Sequence, residues 1–132
     1  MNSGLVAAVV IPFLDESPML RGTLADLARS CRTSGVSPAQ IAVIGVDNGS
    51  RDDSMEAFLA AAQGCGFGSV IAEESGGAVV SARAHGFQVA LVAYPHAQLL
   101  VSLDADTRPG NAWLREALIL RREGADAVSY IG

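Results

Sequence analysis

The sequence lacks an apolar run long enough to cross a bilayer: Leu5 to Leu14 is apolar but falls short of the roughly 20 residues a membrane helix needs. It also lacks a basic leader segment with a small-residue cleavage site. A cytoplasmic location is therefore expected, extending at most to the inner face of the membrane. Cysteine is scarce. The two present, Cys31 and Cys65, fall where a helix end and a loop are expected, and their spacing is neither that of a metal site nor that of a redox motif. Positive charge is in deficit, with a net charge of -5 and acids scattered along the chain, which excludes an electrostatic footprint for nucleic acid or anionic lipid. Internal repeats, low-complexity tracts and linkers are absent. What is there is one domain, residues 1–132, with half of its residues hydrophobic, enough for a single core.

Apolar runs of strand length alternate with segments of helical period, which predicts βα units and a mostly parallel sheet with helices on both faces. Five strands are expected: Val6 to Phe13, Ile41 to Val46, Ser69 to Ala72, Gln98 to Leu103 and Ala127 to Ile131. A first helix should start with Ser17 as cap and Pro18 in its first turn, and run to about Arg32. Its Leu20, Leu24, Leu27 and Cys31 recur at three- and four-residue intervals and read as core. The second helix carries Met55, Phe58, Leu59 and Ala62 and is ended by Gly64, Gly66 and Gly68. A third spans about Val79 to Ala93, and a fourth presents Trp113, Leu114, Ala117 and Leu118 on one side.

In a parallel sheet the loops after the strands gather on one edge, where open α/β folds bind ligands. Every such loop here is polar or glycine-rich: Asp15-Glu16, Asp47-Asn48, Glu73 to Gly77, and Asp104-Ala105-Asp106. Two carboxylates spaced Asp-x-Asp at a strand end present the hard oxygens that Mg²⁺ and Mn²⁺ favour. The same pair would equally serve as solvated loop acids, and Asp47-Asn48-Gly49-Ser50 as a turn and helix cap. A phosphate ester bound by so acidic a chain requires local compensation by a cation, an arginine or a helix N-terminus. His85 and His96 have no partner at ligand spacing and are expected to be structural or exposed.

Four pieces occur in a telling order: Val9 to Glu16; Val46 to Ser54; Gly76-Gly77 with Ala82-Arg83 and Gly86; and Leu103 to Thr107. Together with Trp113-Leu114, this order resembles the family 2 glycosyltransferases of the GT-A fold over nearly the whole chain. The resemblance implies a Rossmann-like nucleotide-diphospho-sugar transferase fold, a UDP- or GDP-sugar donor and a divalent metal, Mg²⁺ or Mn²⁺. It implies that Pro12 to Glu16 wall the nucleoside pocket, that Asp47 contacts the base and that Arg83 approaches the nucleotide. Asp104 resembles the first acid of the metal motif, near ribose and ion, and Asp106 the direct metal ligand. Asp15 stands where the family usually has Asn, and Asn48 where it often has a second Asp, so base and ribose contacts are expected to differ in detail. The family's catalytic base lies beyond the metal motif, and no residue of this sequence is nominated for it.

A sugar-phosphate nucleotidyltransferase would need a glycine-rich phosphate loop after the first strand, and a dinucleotide-binding domain its glycine fingerprint there. Pro12-Phe13-Leu14-Asp15-Glu16 occupies that place and disfavours both. The sequence ends on a strand, so the domain is expected to continue or to be completed by another chain, and the isolated chain to self-associate. The expected function is transfer of a sugar to an unidentified acceptor. The alternative is a truncated or degenerate module that binds a nucleotide sugar without turnover.

Overall fold

A computed structural model describes residues 5–73, 79–122 and 127–129. The element order is β1 (Ala7–Phe13), α1 (Ser17–Thr33), a single 3₁₀ turn (Pro38–Gln40), β2 (Ile41–Asp47), α2 (Ser54–Cys65), β3 (Gly68–Glu73), α3 (Val79–Ala93), β4 (Leu99–Ser102), α4 (Trp113–Arg122) and β5 (Ala127–Ser129). The five strands form one sheet in the order β3-β2-β1-β4-β5. All four pairings are parallel, with Val9 opposite both Val43 and Val101 at the centre.

All seven residues of β1 and all seven of β2 are buried, which is why these strands read as continuous apolar runs and not as alternating ones. Side chains of β1 alternate between two cores. Ala7, Val9, Ile11 and Phe13 pack with α1, α2 and α4, whereas Ala8 and Val10 pack with Ile44, Val46 and the α3 residues Ala82 and Ala90. The expected α1 stripe of Leu20, Leu24, Leu27 and Cys31 is fully buried on the first face. Burial pushes the Cys31 thiol up to about 11 and raises that of Cys65 as well, so both are poor nucleophiles. Among the described residues no helix is long and apolar enough to cross a membrane.

Two glycines allow helices to approach the sheet closely. A Cβ on Gly45 would lie 2.8 Å from the Phe58 ring, which stacks on Phe13. A Cβ on Gly86 would lie 2.3 Å from Val10 Cγ1 and 2.8 Å from Val46 Cγ2, so α3 rests on β1 and β2 through a bare backbone.

Some local expectations are corrected. Glu16, not Ser17, occupies the cap position of α1, and no side chain of the helix's own sequence caps it. The loop after β2 and the first residue of α2 do so instead, because the Glu16 amide donates to Ser54 Oγ at 2.9 Å and the Ser17 amide to Asp52 Oδ2 at 3.4 Å. Cys65 closes α2 and does not lie in a loop; its Sγ faces the Leu24 carbonyl at 3.8 Å. Gly64 lies inside α2, Gly66 provides the left-handed cap at φ 85°, and Gly68 opens β3. The 3₁₀ turn, closed by a reciprocal Ser37–Gln40 capping box, was not expected. Gly76, Gly77 and the end of the expected fifth strand, residues 130 and 131, lie outside the described residues.

Candidate functional site

The carboxyl ends of β1, β2 and β4 open onto one cleft of about 400 Å³. Pro12, Phe13, Leu14 and Glu16 form one wall; Asp104, Ala105 and Asp106 form the other; Arg83 enters from α3 and Asn48 from the end of β2. Five of the six residues expected to bind donor or metal, namely Pro12, Glu16, Arg83, Asp104 and Asp106, therefore share a single concavity. The sixth, Asp47, does not line it.

The wall after β1 is built by exchange with the loop after β2. Asp15 adopts a left-handed conformation with φ 49°, which aspartate tolerates better than most residues. Its Oδ1 accepts the Arg51 amide at 2.7 Å and the Asp52 amide at 3.2 Å, while its own amide donates to Ser50 Oγ at 3.0 Å. Asp47 is buried at the end of β2 and its Oδ1 accepts the Ser50 amide at 2.8 Å, three residues on, a local side-chain-to-backbone bond that closes the turn after β2. The turn role foreseen as an alternative for Asp47 is thus present. Glu16 folds back to accept the Leu14 amide at 3.0 Å. Burial raises its pKa above the ordinary carboxylate value, and the Asp106, Asp104 and Asp52 carboxylates push the same way against the lowering by the Leu14 bond.

Arg83 faces the opposite wall from the second turn of α3. Its Nε donates to Ser102 Oγ at 2.8 Å and its Nη2 to Asp104 Oδ1 at 2.8 Å. The Arg83 and Asp104 side chains retain 17% and 27% of their exposure, so the pair is partly desolvated yet open to a ligand. Asp106 is exposed. Among the described residues no three His, Cys, Asp or Glu side chains are grouped to hold an ion unaided. Two carboxylates, one tied to arginine and one open, suit a Mg²⁺ or Mn²⁺ that completes its shell with water and ligand phosphates.

Ser102 and the residues that support the acidic loop from α1 were not singled out from the sequence, whereas Asn48 was named there as a departure from the family and does line the cleft. Ser102 carried a signal, being the polar residue inside the apolar run Leu99 to Leu103. Neither His85, which is half-buried, nor His96, which is exposed, lines the cleft.

The sequence matches the profile described as Glycosyl transferase family 2 over residues 8–131, which spans β1 through β5. The chain belongs to this family. No curated protein matches it. Among solved structures, this family 2 chain is similar to S. aureus TarS 1-349, with a TM-score of 0.70 at 15% identity, covering 90% of this chain and 33% of that one. The same protein in complex with UDP-GlcNAc gives 0.69 at 16% identity, with 90% and 32% covered. Longer TarS gives 0.70 at 15%, with 90% and 20% covered. The likeness supports the GT-A fold, and this chain spans about a third of the length of the first two.

Proposed function

We propose that the cleft binds a UDP- or GDP-sugar and that the chain supplies the donor side of a metal-assisted glycosyl transfer, of hexosyl type, to an acceptor hydroxyl. The observation that carries this reading is the convergence of Arg83, Asp104 and Asp106 on one concavity beside the β1 wall. Pro12 and Glu16 border the nucleoside, and Asp47 is assigned to the base from the end of β2. Arg83 is assigned to the diphosphate, Asp104 to ribose and ion, and Asp106 to the ion.

Transfer breaks the bond from the anomeric carbon to the diphosphate, so negative charge grows on the departing group. Arg83 sits with its guanidinium already oriented by Ser102, ready to meet that charge without reorganising. A divalent ion at Asp106 would supply further positive charge at the same place. Asp104 neutralises Arg83 while the cleft is open, and donor phosphates would share the guanidinium with it. The pairing of Asp104 with Arg83 reduces the negative charge an anion meets at this acidic wall, and Asp106 is left as the open carboxylate.

Calorimetric titration of UDP and GDP with Mn²⁺ or with chelator, on the native chain and on Asp106→Ala, tests the reading. Loss of about tenfold or more in affinity on chelation, reproduced by the substitution, is expected where Asp106 and the diphosphate share the ion, since losing even an outer partner costs a metal site about 10–100-fold. Equal affinity with Mn²⁺ and with chelator, in the native chain and in Asp106→Ala alike, removes the metal role, and failure of both nucleotides to bind removes the donor assignment. Acceptor-dependent transfer of labelled sugar then separates an enzyme from a module that only binds.

A further inference from the structure

The buried side of α1 carries three polar residues, Thr23, Asp26 and Ser30, among its leucines. They lie at i, i+3 and i+7 and so share one helix face. All three bind a single segment, the stretch that follows β4. Thr23 Oγ1 donates to the Ala105 carbonyl at 2.6 Å. Asp26 accepts Arg108 Nε at 2.6 Å, with Arg29 as a second partner at 2.9 Å. Ser30 Oγ donates to the Asn111 carbonyl at 3.1 Å and accepts the Leu114 amide at 2.9 Å. The ties advance together along helix and loop, as a rail does. Gly22 leaves room for the Arg108 guanidinium, whose nearest atom would lie 3.0 Å from a Cβ there.

The first tie falls between the two acids of the cleft. Ala105 is buried in the core shared with α1 and forms one stretch of cleft wall with Asp104 and Asp106, and a turn closes behind them through the Thr107 amide and the Asp104 carbonyl at 3.0 Å. Holding the Ala105 carbonyl fixes the peptide that joins residue 105 to Asp106, and hence the direction in which Asp106 leaves the backbone. We infer that Thr23 is a positioning residue for the Asp104–Asp106 pair, acting through the Ala105 carbonyl, and that Asp26 with Arg108 supports the same loop one step further on. Ser30, at the far end, anchors α4 and has no part in orienting the acids.

This inference rests on the metal-assisted donor reading above, and the test separates the two. Thr23→Val keeps shape and removes the hydroxyl; Thr23→Ser restores it; Ser30→Ala removes comparably buried bonds away from the acids. The readouts are the ratio of UDP affinities with Mn²⁺ and with chelator, and hydrogen exchange at the amides of residues 105–111 in the unliganded chain. Thr23→Val is expected to lower the ratio about tenfold, the low end of what losing an outer partner costs a metal site. It should also speed exchange at the Thr107 amide, which is bonded to the Asp104 carbonyl. Thr23→Ser should return both to native values, and Ser30→Ala should lower the melting temperature with the ratio unchanged. Should Thr23→Val not yield folded protein, Asp26→Asn is expected to lower the ratio measurably but by less than about tenfold, since it weakens only the second tie.

A native ratio in Thr23→Val, or in Asp26→Asn where that variant is the one measured, overturns the inference while the donor reading stands. An equal loss in Ser30→Ala overturns it too, because the effect would then be general loosening of the loop. A native chain whose UDP affinity is the same with and without Mn²⁺ overturns the donor reading and this inference with it.

Discussion

Gly86 is where a single methyl group should reach furthest. A Cβ there would stand 2.3 Å from Val10 Cγ1 and 2.8 Å from Val46 Cγ2, whereas carbon atoms rest about 3.5–4.0 Å apart. Relief needs α3 to rise by about 1 Å or both valines to leave their rotamers, at about 0.5–1.5 kcal/mol each. Alanine returns up to about 1 kcal/mol of helix propensity, but overpacking of this kind costs about 1–3 kcal/mol, so the clash wins. Gly86→Ala should lower the melting temperature by roughly 3–10 °C for a chain of this size. Because Arg83 lies one turn earlier on the same helix, the shift should also break its 2.8 Å bonds to Ser102 and Asp104 and weaken nucleotide binding. Gly64→Ala is the matched control: it lies in α2 with nothing within 4 Å of its Cβ, and should raise stability by up to about 1 kcal/mol with binding unchanged. Differential scanning calorimetry and UDP titration on both variants decide the matter. If Gly86→Ala melts at or above the native temperature and binds UDP as the native chain does, the close seat of α3 and its role in aiming Arg83 are wrong.

Arg83→Lys should weaken UDP by about tenfold or more, since an ammonium cannot hold Ser102 and Asp104 together while facing phosphate; titration at fixed Mn²⁺ measures it. Asp47→Ala should lower nucleotide affinity and, through the lost turn bond to Ser50, stability by about 1 kcal/mol, with Mn²⁺ binding kept. Unchanged UDP affinity in the folded fraction would leave Asp47 with the turn alone. Glu16 has a pKa raised in the folded chain, so folding favours its protonated form, and the stability cost of ionising it grows as pH rises through the interval from the unfolded to the folded value. Glu16→Gln, which retains an oxygen for the Leu14 amide, should therefore melt higher than the native chain at neutral pH, and the gap should close in acid, where both states of the native chain are protonated; melting curves across pH show it.

Strand and helix content was legible because β1 and β2 are buried on both faces and α1 on one, each of which leaves a distinct period in the sequence. The converging acids were legible too, since parallel topology places all post-strand loops on one edge. What was missed depends on partners distant in sequence. The cap of α1 comes from Asp52 and Ser54, so a local search settled on Ser17 instead. Thr23, Asp26 and Ser30 read as ordinary helix residues until the segment they bind is folded against them. Asp47 shows a subtler limit: its position at a strand end pointed to the cleft, but its Oδ1 turns to the Ser50 amide and the next residue, Asn48, reaches the cavity wall.

The pairing of β1 with β4 sets Ala7 against Leu99 and Val10 against Ser102. The two walls of the cleft grow from these neighbouring strands, yet about ninety residues of chain separate them, and closing so long a loop is a slow event in folding. β1, α1 and β2 can associate early through contacts closer in sequence, but that assembly holds Glu16 and Asp47 without Arg83 or the Asp104–Asp106 loop. The proposed nucleotide binding is thus expected to be acquired in the same late step that sets β4 beside β1. Recovery of UDP binding during refolding should lag behind recovery of helical signal for that reason.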